Sequence, residues 1–289
     1  MNTPISRRGI LGGAPLLLAG CGKKAEYFGN TAAPPGRTLT FALGPEPEGL
    51  DPAKYGGGFE LYILPSLFEG LIAYHPQTLE PTAGLATHFE INRNDTRFTF
   101  FLRGHPKPCG YPLPSTRSMP GDFARGISAR DNAPARWTDG KIIIADDFVY
   151  SWRRVVDPAT AAPFAYALYH VRNGREIHRG KRNPEDLGVR AVDSFTFEVE
   201  LERPTALFLK LTGSVALSAT PRQAIEAAKR SGAEERWTQA DAIVTSGAFL
   251  LKQWRPYEHV VLAGNPHYYE SDLVSLDAWI DTHWKPERS

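Results

Sequence analysis

The sequence predicts a mixed α/β fold, and three observations carry that expectation. Residues 38–43, 98–103 and 196–201 place apolar side chains at strand-like spacing, the last run in strict alternation, as half-buried strands do. Phe148, Val149, Trp152, Val155 and Val156 recur at helical spacing and would line one face of an amphipathic helix. The 24 prolines and 26 glycines in 289 residues imply many turns and long connections, which a helical bundle does not require.

With 42% hydrophobic and 22% charged residues, the chain can bury a substantial core, as one large or two smaller domains. A net charge of +1 gives no electrostatic case for a nucleic-acid partner, and no basic stripe with interleaved aromatics is present. Nucleic-acid binding is therefore not expected.

At the N-terminus, Ser6-Arg7-Arg8-Gly9-Ile10-Leu11 sets two arginines before the apolar run 10–19, which closes with Leu18-Ala19-Gly20-Cys21. That run is shorter than the ~20 residues needed to span a bilayer and reads as the apolar core of a signal peptide. The paired Arg7 and Arg8 are similar to a twin-arginine export signal, with Ile10 where that motif usually carries phenylalanine. Leu18-Ala19-Gly20-Cys21 resembles a bacterial lipobox, in which cleavage leaves Cys21 as an acylated N-terminus; a plain secretory signal with an incidental cysteine is the alternative. If Cys21 carries lipid, Cys109 is the one remaining cysteine and no intramolecular disulfide can form. Residues 22–37 are small, polar and proline-bearing, as a tether between membrane and domain would be.

Beyond the tether, the strand at 38–43 leads to Gly49-Leu50-Asp51-Pro52 and then to Gly56-Gly57-Gly58. The three glycines permit close backbone approach but lack the Gly-Lys-Ser/Thr of a phosphate loop, which excludes a nucleotide site. Residues 61–72 are expected to form a helix that stops at Gly70. Residues 89–91 are expected to pair with 98–103 across a turn at Asn92, Asn94 and Asp95. From 104 to 136 the chain becomes a proline-rich, basic loop of the kind that sits on a surface.

Asp139-Gly140, between Trp137 and Ile142-Ile143-Ile144, is a reverse-turn signal in which Gly140 supplies positive φ. A helix then begins near Ala145. Asp146 and Asp147 lie in its first turn, where the helix dipole favours negative charge, and Asp157-Pro158 ends it. A second helix is expected over 222–231, with Ile225 inside and Gly232 past its end. Val260-Val261-Leu262 and Asn265-Pro266-His267-Tyr268-Tyr269 follow, and then Ser275-Leu276-Asp277-Ala278-Trp279-Ile280.

Catalytic and metal-binding signatures do not stand out. There is no Gly-x-Ser-x-Gly elbow, no His-Glu-x-x-His and no paired-cysteine motif, and the eight histidines do not cluster at ligand spacing. No enzyme activity, metal or cofactor is expected, although a triad assembled from distant residues stays open.

Trp137-Thr138-Asp139-Gly140, a short apolar run, Asp147-Phe148-Val149-Tyr150-Ser151-Trp152-Arg153-Arg154 and then Asp157-Pro158 taken alone could be no more than a turn and a core-facing helix. In this order they strongly resemble the extracellular solute-binding proteins, family 5, of oligopeptide and dipeptide ABC importers. Leu67-Phe68-Glu69-Gly70-Leu71, the Leu50-Asp51-Pro52 block and 244–251 fit the same family in order and spacing, so the resemblance covers nearly all of the chain after the tether.

The resemblance implies lobe I of a periplasmic-binding-protein-like fold (type II, cluster C). Residues 38–68 and 222–285 would form that lobe and 69–221 an inserted subdomain, with the second lobe missing and the chain a truncated product. It further implies a peptide ligand held by β-augmentation, an ABC permease and ATPase as partners, and a monomer anchored to the membrane through lipid on Cys21 and facing the periplasm or exterior. Carried over residue by residue, the ligand-facing positions are Gly57, Gly58 and Phe59, together with Phe164 where some relatives have tyrosine. A glycine-rich turn and a core phenylalanine are the alternative reading of these four residues. A second function class is a surface lipoprotein that keeps the lobe as a scaffold or interaction module.

Overall fold

The computed structural model describes residues 37–41, 46–106 and 133–282. Arg7, Arg8, Cys21, Cys109, the signal peptide, all of the tether except Arg37 and most of the 104–136 loop lie outside the described residues, as do 283–285 at the end of the expected lobe.

The strands are β1 (Thr38–Phe41), β2 (Ile72–Tyr74), β3 (Pro81–Ala83), β4 (Ala86–Ile91), β5 (Arg97–Leu102), β6 (Val189–Asp193), β7 (Thr196–Glu200), β8 (Phe249–Arg255), β9 (His259–Gly264) and β10 (Ala278–Thr282). The α-helices are α1 (Glu60–Leu67), α2 (Ala145–Val156), α3 (Gly174–His178), α4 (Phe208–Leu211) and α5 (Arg222–Arg230). They build two four-stranded sheets, ordered β1-β10-β9-β8 and β4-β5-β7-β6, and the hairpin β2-β3.

The alternating segment 196–201 becomes β7, which pairs antiparallel with β5 in the register Phe98↔Val199 and Phe100↔Phe197. Residues 89–91 pair with 98–100 across the Asn92 turn, as expected. Asn92 Oδ1 accepts the N–H groups of Thr96 and Arg97, which fixes that turn. Over this sheet lies α2, whose apolar stripe is buried throughout at Phe148, Val149, Trp152, Val155 and Val156. Trp152 meets Phe197 edge-on at 5.0 Å, and its Nε1 donates to the Leu217 carbonyl at 2.9 Å. An indole buried with its polar atom satisfied adds contact area without an unpaired donor.

A second core sits under the β1-β10-β9-β8 sheet and gathers Leu50, Ile63, Leu64, Leu67, Phe68, Trp237, Val260 and Leu262. Here β1 lies parallel to β10 and β10 antiparallel to β9, so 278–282 is an interior strand of this sheet.

Two local expectations change. The helix expected over 61–72 runs Glu60–Leu67, and Phe68 is already extended (φ −129°, ψ 138°). Its end is fixed by a distant segment: Ser246 and Gly247 both donate to the Leu67 carbonyl, at 3.0 and 2.8 Å. Gly247 lies so close to the helix that a Cβ there would fall 2.4 Å from the Ser66 carbonyl oxygen. The helix therefore stops where a neighbouring loop takes over its terminal carbonyls, three residues before Gly70. The second change concerns Asp147, whose Oδ2 accepts from the Ile144 N–H at 3.0 Å and from Trp137 Nε1 at 3.3 Å. Burial pushes this carboxyl up to about 6 despite those two bonds, so the acid in the first turn of α2 is also a partly enclosed one.

Candidate functional site

Asp51 organises the site. Its carbonyl accepts from Lys54 and Tyr55, and its Oδ1 accepts from the Ala53 N–H at 2.9 Å, which closes a tight turn after Leu50. Arg154 on α2 reaches that carboxylate with both terminal nitrogens, Nη1 to Oδ1 at 2.9 Å and Nη2 to Oδ2, and both residues are buried. The fork-shaped guanidinium fixes orientation as well as charge, so α2 sets where the following residues emerge. Burial pulls Arg154 down, yet the bonds and charge of Asp51 outweigh it and the group is held above its ordinary value.

The first residue placed is Tyr55. Its ring stacks on Phe164 at 4.6 Å between centroids and 23° between planes, and burial raises its hydroxyl despite a bond with Ser214. Phe164 is half-buried, and the neighbouring Tyr166 is 56% exposed with its ring 5.9 Å away. The result is an aromatic shelf, buried at Tyr55 and open at Tyr166. Gly56 passes beside it, where a Cβ would lie 3.9 Å from Pro163 Cγ.

From Gly56 to Gly58 the chain runs along the surface. Among the described residues, the backbone N–H and C=O groups of these three glycines make no hydrogen bond. Phe59 then takes the position before α1 with φ −77° and ψ −35°, and Tyr62 on the helix is 59% exposed. The structure thus brings the glycine run and Phe164 to one surface, joined through Tyr55. Phe59 makes no ring contact with Phe164 among the described residues. Sequence reasoning missed Tyr55, Tyr166 and the Asp51–Arg154 pair, since nothing in local spacing links residue 51 to residue 154.

A cavity of about 200 Å³ adjoins the turn, lined by Leu50, Asp51, Lys54, Tyr55, Glu234 and Trp237 among others. Lys54 bridges across it to Glu234 at 3.5 Å and Glu235 at 3.6 Å. A cavity of about 540 Å³ lies elsewhere, against β5, β6 and β7. Its arginines are matched with acids, Arg97 and Arg190 with Glu198 and Arg172 with Glu200. Among the described residues, no group of three His, Cys, Asp or Glu side chains could hold a metal ion.

Residues 132–280 match the family model of bacterial extracellular solute-binding proteins, family 5 Middle. The chain belongs to this family. Its relatives include the periplasmic oligopeptide-binding protein OppA of Salmonella typhimurium, 36% identical over 237 residues that are 81% of this chain and 37% of that protein. The periplasmic murein peptide-binding protein MppA of Escherichia coli is 33% identical over 254 residues, 87% of this chain and 40% of that one. Among solved structures, the Escherichia coli murein tripeptide binding protein MppA matches with a TM-score of 0.71 at 30% identity, covering 85% of this chain and 42% of its own. Haemophilus influenzae OppA, in complex with RPPGFSPFR, matches with a TM-score of 0.71 at 27% identity, covering 86% and 42%. The fold is therefore that of part of a periplasmic binding protein, and the chain spans about two fifths of the length of these curated relatives.

Proposed function

We propose that this chain binds extended peptides along Gly57, Gly58 and Phe59 and against Phe164, as the solute-binding component of a peptide ABC importer. The observation that carries the reading is the unbonded backbone of Gly56, Gly57 and Gly58 beside the Tyr55–Phe164 shelf. An extended peptide would pair its main chain with those groups, and the aromatic rings would take side chains of many kinds. Such recognition depends little on sequence, which suits a transport protein for mixed peptides.

In the same reading, residues 38–68 and 222–285 act as lobe I and 69–221 as its inserted subdomain. The change in core membership between Phe68 and Leu71, and again between Ala219 and Ile225, supports that division, although Val215 and Ala216 pack into the core of the 38–68 and 222–285 segments. Export by the Arg7-Arg8 signal, lipid on Cys21 and docking of a monomer to an ABC permease and ATPase complete the proposal, with no catalytic step. Calorimetry of the chain from Cys21 onward against a pool of short peptides tests it. Saturable heat at micromolar peptide is expected, reduced by Phe164→Ala. No heat from a chain that melts cooperatively would replace this function with a scaffold role.

A further inference from the structure

The glycine run lies against a buried acid that peptide recognition does not explain. Glu60, in the first turn of α1, is 2% exposed. Its Oε1 accepts the Glu48 N–H at 2.8 Å. Its Oε2 is enclosed and has no hydrogen-bond partner among the described residues. A Cβ on Gly57 would lie 2.5 Å from that Oε2 and 3.3 Å from the carboxyl carbon, whereas a Cβ on Gly58 would meet nothing within 4 Å. Of the two glycines, one is thus required for space and the other is not.

Long acidic side chains are rarely enclosed without a full set of partners, because desolvation is costly. The position of Glu60 has an offsetting gain, since the first turn of a helix favours negative charge. Pinned at Oε1 by Glu48 and walled in on all sides, the carboxylate cannot swing aside as an exposed one would. It forms the floor under Gly57.

We propose that Glu60 is a positioning residue for peptide binding: wedged between the Glu48 N–H and the main chain of Gly57, it holds the 56–58 strip so that its backbone groups stay turned toward the ligand. The assignment rests on the peptide-binding reading above. It makes the absence of a side chain at Gly57 a specific fit to the Glu60 carboxylate rather than general loop flexibility.

The test is a cycle of Gly57→Ala, Glu60→Ala and the double variant in the full chain, with Glu60→Gln as the conservative replacement. Calorimetry with two unrelated peptides, amide hydrogen exchange at Glu48 and backbone nitrogen relaxation along 56–58 are read. Gly57→Ala is expected to weaken both peptides by about the same factor, tenfold or more, with the melting temperature little changed. In the Glu60→Ala background the same substitution adds nothing further, because the atom it strikes is gone, and this departure from additivity marks direct contact. Glu60→Gln keeps an oxygen for Glu48 and restores wild-type binding, while Glu60→Ala speeds exchange at Glu48 and loosens the 56–58 backbone in nitrogen relaxation. Additive losses, or unchanged exchange in Glu60→Ala, would overturn the proposal. If the wild-type chain gives no heat with any peptide, the peptide reading fails, and relaxation along 56–58 still decides whether Glu60 clamps the strip.

Discussion

Two buried acids show two ways of placing a carboxylate inside this chain. Asp51 meets a guanidinium at both oxygens and a main-chain N–H besides, so its charge is matched where it stands. Glu69 has much less. Its Oε1 accepts from the Tyr269 hydroxyl at 2.5 Å, and its Oε2 is enclosed without a partner among the described residues. Arg103, whose charge favours the ionised form, lies over the Tyr269 ring at 3.5 Å from the centroid and donates its Nε to the Gly84 carbonyl. Burial accordingly pushes Glu69 up to about 7, with the Tyr269 bond and then the Arg103 charge opposing the shift. One carboxylate is paired with a guanidinium, and the other is pushed by burial toward holding its proton.

The largest effect comes from breaking the pair. Arg154→Ala leaves Asp51 enclosed and unmatched and should lower stability by about 3–5 kcal/mol in denaturant titration. A loss under about 1 kcal/mol would show that Asp51 reaches water once its partner is gone. Glu69→Gln acts in the opposite direction. Because the folded group binds its proton up to about pH 7 and the unfolded one only to its ordinary value of 4.5, wild-type stability should fall as pH rises from 4.5 to 7 and be flat outside that window. At 1.36 kcal/mol per unit the fall is at most about 3 kcal/mol, and the glutamine variant should lack it. Melting curves at pH 5 and pH 8 read the difference directly; equal slopes in both proteins would mean that Glu69 stays ionised in the fold. The smallest change is expected from Asp147→Asn. Its carboxyl is pushed up to about 6 from its ordinary value of 3.8, so stability should decline as pH rises from 3.8 to 6 in the wild type and less in the variant. An asparagine oxygen can still accept from Ile144 and Trp137, so the residual loss at pH 5 should stay within about 1 kcal/mol.

None of these contrasts was visible in sequence. Asp51 reads as half of an Asp-Pro turn, Glu69 as one acid in an apolar stretch and Asp147 as a dipole partner, because what sets each apart is enclosure by residues far along the chain. Regular elements were more legible. The aromatic stripe gave α2 from Ala145 to Val156, and the turn glycines Gly140 and Gly232 do take positive φ, +84° and +72°. Local periodicity reports on these because burial of one face is written at fixed intervals. The end of α1 is not written that way, since Ser246 and Gly247 determine it. In the candidate site, Gly57, Gly58, Phe59 and Phe164 were placed by family resemblance. Tyr55, which joins the glycine run to Phe164, and Glu60, which lies beneath it, carry no local signal.

The pairing of Thr38 with Ala278 also sets a schedule. During synthesis the first strand leaves the ribosome long before its hydrogen-bonded neighbour exists. At about 5–20 residues per second the wait is on the order of 10 to 50 s. Throughout that interval the 38–41 edge is an open template for pairing with other chains. The β4-β5-β7-β6 sheet has no such delay, because all four of its strands lie upstream of residue 201. The nascent chain therefore completes its middle first and its beginning last, and whatever guards Thr38–Phe41 against wrong partners must act before Ala278 arrives.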